Sequence, residues 1–318
     1  MSKTRILITG ASGTIGYHTY QKLITNLDKF ILRIFLRGSK KNRKLFKEYE
    51  EQIEIFWGDI LNFEKCKKAV ADQNIIIHAA ALIPPAAYKD QEYTKEVNIT
   101  GTENILKAIQ NHSQSVKIIF TSSIAVYGDR LENPFIKSGD PTNPNDIYGK
   151  TKVAAENLII NSGLDYLIFR ISYVATVNSL KFDPVMFRMP LDTPIELIDP
   201  NDVATAIINA ISSKDIWNKT YLLAGGEKNR ILFRNLINKL FSIMGFGKNF
   251  LPESAFAKNG FNCGYCDTDE IQNKLKFQNH HIEDFYEKVD DWIGFKKYFV
   301  PLVKYFIKQY LLRKSEYY

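Results

Sequence analysis

The feature that most constrains the fold is an apolar run that ends in a glycine-punctuated turn and passes straight into a helical pattern. Residues 4–9 read Thr-Arg-Ile-Leu-Ile-Thr, and Gly10-Ala11-Ser12-Gly13-Thr14-Ile15-Gly16 follows. A short apolar run bounded by turn residues is a buried strand. Glycines permit the tight turn and let backbone approach a pyrophosphate closely. The helix start then offers free N–H groups to the negative charge. Gly10, Ser12, Gly13, Thr14, Ile15 and Gly16 are therefore candidates for holding a dinucleotide, although the spacing is G-x-x-G-x-x-G rather than G-x-G-x-x-G.

The same alternation continues. Runs at 30–36, 53–57, 74–78, 116–121 and 164–169 read as further strands, with helical patterns at 17–25, 63–71, 93–111 and 148–161 between them. Strand–helix alternation predicts an α/β fold, a Rossmann-type doubly wound parallel sheet covered on both faces, with ligands at the carboxyl ends of its strands. After Arg170 the pattern loosens, and Pro184, Pro190, Pro194 and Pro200 punctuate a stretch of little periodicity. Residues 202–211, 230–244 and 267–275 then look helical, and 220–223 look like a strand. The expected division is a dinucleotide-binding domain over 1–172, to which 198–224 return. A smaller, discontinuous C-terminal substrate lobe is expected over 173–197 and 225–318.

The formal net charge of +7 suits anionic small molecules. No basic motif with groove-reading geometry is present, so nucleic acid is not an expected partner. The expected partner is a small-molecule substrate. No apolar run is long enough to span a bilayer, and the chain enters its first strand without a signal-peptide pattern, so the cytoplasm is the expected compartment. Residues 296–318 mix Tyr, Phe, Leu and Ile with Lys and Arg. Packing of that segment on the small lobe or a partner subunit is expected in preference to contact with an anionic membrane surface. Cys263 and Cys266 have ligand-like spacing, but the adjacent His280 and His281 lack the usual separation, and no metal is expected.

The second strand ends Phe35-Leu36-Arg37-Gly38, with Lys40, Lys41 and Arg43 beyond it and no carboxylate where the adenosine ribose of NAD would be met. Arg37 suits a 2′-phosphate, so NADP is expected over NAD. Farther on, Tyr148 and Lys152 lie four residues apart and share a helix face. A phenol is a poor base at neutral pH; a neighbouring ammonium favours its phenolate, and the pair can move a proton while a hydride moves at the adjacent carbon. Ser123 ends a central strand in Phe120-Thr121-Ser122-Ser123, where a hydroxyl can bind the substrate oxygen.

Taken in order, these motifs resemble the extended short-chain dehydrogenase/reductase, or NAD-dependent epimerase/dehydratase, family. The glycine loop, Gly58-Asp59-Ile60, His78-Ala79-Ala80-Ala81, Asn98-Ile99-Thr100-Gly101-Thr102, Ser123 and the Tyr148/Lys152 pair carry the resemblance, most strongly over 4–172. It implies that Asp59 and Ile60 lie beside the adenine and that Ala79, Ala80 and Ala81 line the pyrophosphate and nicotinamide side. Asn98 would belong to the same cofactor site, chiefly as a scaffold. Tyr148 would be the acid/base, Ser123 the catalytic hydroxyl, and Lys152 the residue that holds the nicotinamide ribose and tunes Tyr148. A homodimer through two helices of the large lobe is usual for the family. Many sugar-nucleotide members carry Val-Tyr-Gly-Pro after the sixth strand; here Arg170-Ile171-Ser172-Tyr173-Val174-Ala175-Thr176 lacks the Tyr-Gly-Pro element. The expected activity is hydride transfer at a secondary alcohol or ketone, by an epimerase, dehydratase or reductase. The competing expectation is a dinucleotide-binding sensor or scaffold without chemistry. Ile83-Pro84-Pro85, Tyr173, Met186 and Arg188 are candidate pocket residues.

Overall fold

The computed structural model describes residues 3–112, 115–177, 180, 183–258 and 260–318. Seven strands form one sheet: β1 (Thr4–Thr9), β2 (Phe30–Leu36), β3 (Glu54–Trp57), β4 (Ile75–His78), β5 (Lys117–Ser123), β7 (Asp165–Ile171) and β10 (Lys219–Leu223). Their spatial order is β10-β7-β5-β4-β1-β2-β3, and every pairing is parallel. The order reverses between β1 and β4, so a crevice opens there beyond the strand ends. β6 (Phe135–Ile136) lies outside this sheet and pairs with β12 (Tyr265–Cys266).

Alternation along β1 shows why the sheet is covered twice. Ile6 and Ile8 face one core with Phe169, Val203 and Ile207, whereas Leu7 faces another with Ile76, Ala108 and Ile109. The first core is closed by α1 (Thr14–Ile24) packed on α8 (Pro200–Ser212), the second by α3 (Phe63–Val70) packed on α6 (Gly101–Gln110). α7 (Ile147–Ile160) lies along β5 and β7.

The smaller lobe has its own three-stranded sheet of β8 (Tyr173–Val174), β9 (Pro194–Ile198) and β11 (Arg230–Leu232), with β9 central. Helices α9 (Phe233–Ile243), α10 (Asp269–Leu275), α11 (Ile282–Ile293) and α12 (Val300–Leu312) follow. Phe233, Phe241, Phe250, Phe256 and Phe285 build its core. Glu196 is wholly buried and accepts hydrogen bonds from Gly226 N (2.9 Å), Arg230 Nε (2.9 Å) and Cys266 N (2.8 Å). One carboxylate thus ties three separate segments together, and its charge is matched by Arg230.

Several local expectations change. The helix expected over 93–111 is three pieces: α5 (Gln91–Lys95), a wider π-helical turn at Glu96–Thr100, and α6. The basic stretch after Arg37 opens a helix, α2 (Lys40–Phe46), whose start is capped by Ser39. The short helix α4 (Ala86–Lys89) and α11 were not anticipated. The proline-rich stretch contains β9, which begins on Pro194, a first-residue position that proline tolerates. The helix expected from Arg230 starts at Phe233, because residues 230–232 pair with β9. Residues 178, 179, 181, 182 and 259 of the expected substrate lobe lie outside the described residues.

Candidate active site

The glycine loop leaves β1 with Gly10 at φ +71°, a left-handed conformation that favours glycine. A Cβ there would stand 2.6 Å from the Ala80 amide nitrogen, and one at Gly16 would collide with the Gly10 carbonyl oxygen. Gly13 caps α1 with no side-chain acceptor, and the first turn holds no acidic residue. The α1 amides therefore point at an anion-ready space. The resulting cleft, about 240 Å³, is lined by Gly10, Ser12, Gly13, Arg37, Asp59, Ile60 and Ala79–Ala81 among the expected residues. Asn42, Leu82, Tyr93 and Val97 also line it. Thr14, Ile15 and Gly16 lie in the first turn of α1 rather than on the cleft wall. The narrow glycine cradle and its free amides suit the pyrophosphate of a dinucleotide.

Arg37 is exposed at the rim, with Nη1 3.3 Å from the Tyr93 hydroxyl. Asn42 donates to the Arg37 carbonyl (2.7 Å), while Arg43 stacks on Trp57 instead of joining Arg37. Gly10→Ala is expected to cost about 1–3 kcal/mol of stability and to weaken dinucleotide binding about tenfold or more, because strain and steric contact fall on the cradle itself. Urea denaturation and calorimetric titration check the two effects separately.

The second half of the site lies where β5 meets α7. Ser123, the last residue of β5, is half-buried and accepts from Ala125 N (3.2 Å). Tyr148 enters from the first turn of α7. Asp146 caps that helix by accepting from Gly149 N (2.6 Å). Gly149 lets α7 sit close, since a Cβ there would be 2.5 Å from the Ala125 carbonyl oxygen. Burial pushes the Tyr148 phenol above its ordinary range, a hydrogen bond with Ser123 pulls it back, and the Asp146 charge raises it again. The expected lowering by Lys152 is not what dominates here.

Lys152 is almost fully buried. Its Nζ donates to the Thr121 carbonyl (2.8 Å) and lies 4.6 Å from the centre of the Phe120 ring and 5.8 Å from that of Tyr148. Burial brings its pKa down to about 8, with Glu156 opposing the shift. Glu156 is one further turn along α7. It forms a buried pair with Arg170 (2.7 Å), and the Arg170 guanidinium also donates to the Tyr127 hydroxyl (2.6 Å). Tyr148, Lys152 and Glu156 thus share one helix face against the ends of β5 and β7.

Asn98 sits in the π-helical turn and spends its side chain on the protein. Its Oδ1 accepts from Leu82 N (2.7 Å), and its Nδ2 donates to Leu82 O and Thr151 Oγ1 (3.0 Å each). It braces the cleft wall at Leu82 against α7. Neutral His78 is buried between Thr9 (2.7 Å) and Thr102 (3.0 Å); burial, then Lys152, lowers its pKa to about 3.

Beside Tyr148 lies a cluster that sequence reasoning missed except for Arg188. Asp146 Oδ2 accepts from the Tyr88 hydroxyl (2.6 Å) and from Asn262 Nδ2 (2.9 Å), and the Arg188 guanidinium lies 5.8 Å from the Tyr88 ring centre. The one sequence signal for Asp146 was its helix-capping position two residues before Tyr148. Of the other candidates, Ile83 is exposed, Tyr173 is partly exposed, and Met186 packs against the core of the small lobe. Cys263 and Cys266 are buried free thiols, His280 pairs with Asp202 (2.6 Å), and no cluster of three or more His, Cys, Asp or Glu among the described residues could hold a metal.

A parallel sheet with a glycine cradle at its switch point defines a Rossmann-type nucleotide-binding protein, and comparison with known proteins narrows the class. The sequence profile of the NAD dependent epimerase/dehydratase family matches residues 6–187. The chain belongs to that family, and its membership supports an enzyme. A Methanocaldococcus jannaschii protein provisionally named as a UDP-glucose 4-epimerase is 30% identical over 280 residues, covering 80% of this chain and 85% of that one. A 3 beta-hydroxysteroid dehydrogenase/Delta 5-->4-isomerase of Mycobacterium tuberculosis is 31% identical over 175 residues, but these cover 52% of this chain and 44% of that one. The solved UDP-glucose 4-epimerase of Thermotoga maritima, with UDP-glucose, superposes with a TM-score of 0.74 at 19% identity, covering 93% of this chain and 100% of that one. A dTDP-glucose 4,6-dehydratase of Bacillus anthracis in complex with NAD gives 0.75 at 15% identity over 91% and 96% of the two chains.

Proposed function

We propose that this chain is an NAD(P)-dependent epimerase or oxidoreductase that transfers hydride at a secondary alcohol or its ketone, with Tyr148 as acid/base. The observation that carries the reading is that Tyr148 and Lys152 come together with Ser123 at the carboxyl end of β5, the strand beside β4, while the residues that follow β4, Ala79–Ala81, line the glycine-loop cleft. A bound nicotinamide would accept and return the hydride. Ser123 orients the substrate oxygen, and Tyr148 takes or gives the hydroxyl proton. Lys152, fixed by Thr121, holds positive charge beside the phenol as that proton moves. A non-catalytic sensor has no need of this constellation.

The substrate reading follows from the relatives and the cluster beside Tyr148. The Methanocaldococcus jannaschii relative, matched over 280 residues, bears a nucleotide-sugar epimerase name. Arg188, which also pairs with Glu316 (2.7 Å), supplies a cation beside the Tyr88 ring and the Asn262 amide, groups that suit a nucleoside diphosphate sugar. In this division 173–197 and 225–318 serve as the substrate lobe. Arg37 and Asn42 at the cleft rim support NADP, whereas the Bacillus anthracis neighbour holds NAD.

The test incubates purified protein with UDP-glucose and either NAD or NADP, following UDP-galactose by NMR and cofactor absorbance at the same time. Epimer formation without net cofactor reduction is expected. Stoichiometric cofactor change would assign a dehydrogenase instead, and neither signal with any sugar nucleotide or carbonyl would sink the catalytic reading. A pH profile adds a second check. Lys152 loses its proton above about 8, so kcat/KM is expected to fall on the alkaline side of that value, approaching about tenfold per pH unit.

A further inference from the structure

We propose that the outer face of α12 is a docking surface for an anionic lipid bilayer. The helix buries one stripe in the small lobe: Val300 and Leu311 are core residues, with Ile307 packed against them. The opposite stripe is also apolar. Phe299, Leu302, Val303, Phe306 and Tyr310 recur at three- and four-residue spacing, and Leu302 and Phe306 are 77% and 72% exposed. A helix that is apolar on both faces belongs inside a structure, yet this one lies on the surface.

The exposure is concentrated here. Of the sixteen exposed large hydrophobic residues among those described, eleven fall within 292–318. Scattered exposed apolar side chains need no explanation, but a contiguous patch does.

Charge selects the occupant. Residues 295–315 carry Lys296, Lys297, Lys304, Lys308, Arg313 and Lys314 and no Asp or Glu. Apolar and aromatic side chains flanked by lysines match a membrane surface, where the rings enter the headgroup boundary and the ammonium groups meet lipid phosphates. A second copy of the chain is disfavoured by the same charges, because a symmetric contact would bring two predominantly basic rims together, with Asp290 already paired to Lys297 and Glu316 to Arg188. Contact is peripheral: among the described residues no helix is long and apolar enough to cross a membrane.

The experiment is co-sedimentation of the full chain with vesicles of phosphatidylglycerol and phosphatidylcholine, against vesicles of phosphatidylcholine alone. Binding about tenfold or more tighter to the anionic vesicles is expected, weakening in high salt. The double variant Leu302→Asp/Phe306→Asp is expected to lose at least about tenfold of that binding while keeping its circular dichroism and its dinucleotide affinity, since both side chains face outward. Equal binding to both vesicle types, or an unchanged affinity in the double variant, overturns the proposal. So does a concentration-dependent dimer, seen by sedimentation velocity, that the double variant abolishes; that result would give the face to a second copy.

Discussion

Tyr148→Phe is expected to leave the fold intact and to reduce kcat by about a hundred- to ten-thousandfold, the range that a positioned general acid or base supplies. The substitution removes one oxygen and keeps the ring. The ring is only half-buried, and the helix it stands on is held by other groups: the Asp146 cap, Gly149 against Ala125, and the Glu156–Arg170 pair. Stability should therefore change by less than about 1 kcal/mol, and dinucleotide affinity should stay near that of the parent. The informative comparison sets kcat against cofactor affinity in one preparation. Loss of both together would mean that Tyr148 shapes the cleft; loss of kcat alone assigns it the proton.

Arg170→Met is expected to be the most damaging change to stability, about 3–5 kcal/mol. Arg170 and Glu156 are both buried, and Glu156 additionally accepts from the Ser122 hydroxyl. Removing the guanidinium leaves a carboxylate without its counter-charge in a dry interior, and it takes from the Tyr127 hydroxyl the hydrogen bond it accepts and from the Ser138 carbonyl one of its two donors, the Tyr127 hydroxyl being the other. Replacing both members of the pair, as in Glu156→Leu/Arg170→Met, should recover a substantial part of the loss. Urea unfolding of the two single variants and the double variant measures the coupling. A single-variant cost below about 1 kcal/mol would show that solvent or Lys152 compensates the carboxylate.

The parallel sheet was legible because its strands carry continuous apolar runs; Ile75-Ile76-Ile77 permits little else than burial on both faces. The glycine loop and the Tyr148/Lys152 spacing were legible for a related reason: each packs its geometry into a few consecutive residues. β9 was hidden because Pro194 advertises a break while occupying a harmless first position. The cluster beside Tyr148 was hidden by separation along the chain: Tyr88 and Asp146 are 58 residues apart, and Asp146 and Asn262 are 116 apart. No local pattern announces a contact that only the folded chain creates. The balance of forces on Tyr148 was equally out of reach, since four-residue spacing promises an ammonium nearby and says nothing of how far Thr121 draws that ammonium toward itself.

The brace made by Asn98 has a mechanical corollary. By gripping Leu82 on one side and Thr151 on the other, it couples the wall of the cofactor cleft to the helix that carries Tyr148. Three hydrogen bonds through one side chain thus join the two surfaces. Tyr88 and Asn262, which meet at Asp146, take no part in that brace, so under the proposed function the side that would recognise substrate can change without disturbing it.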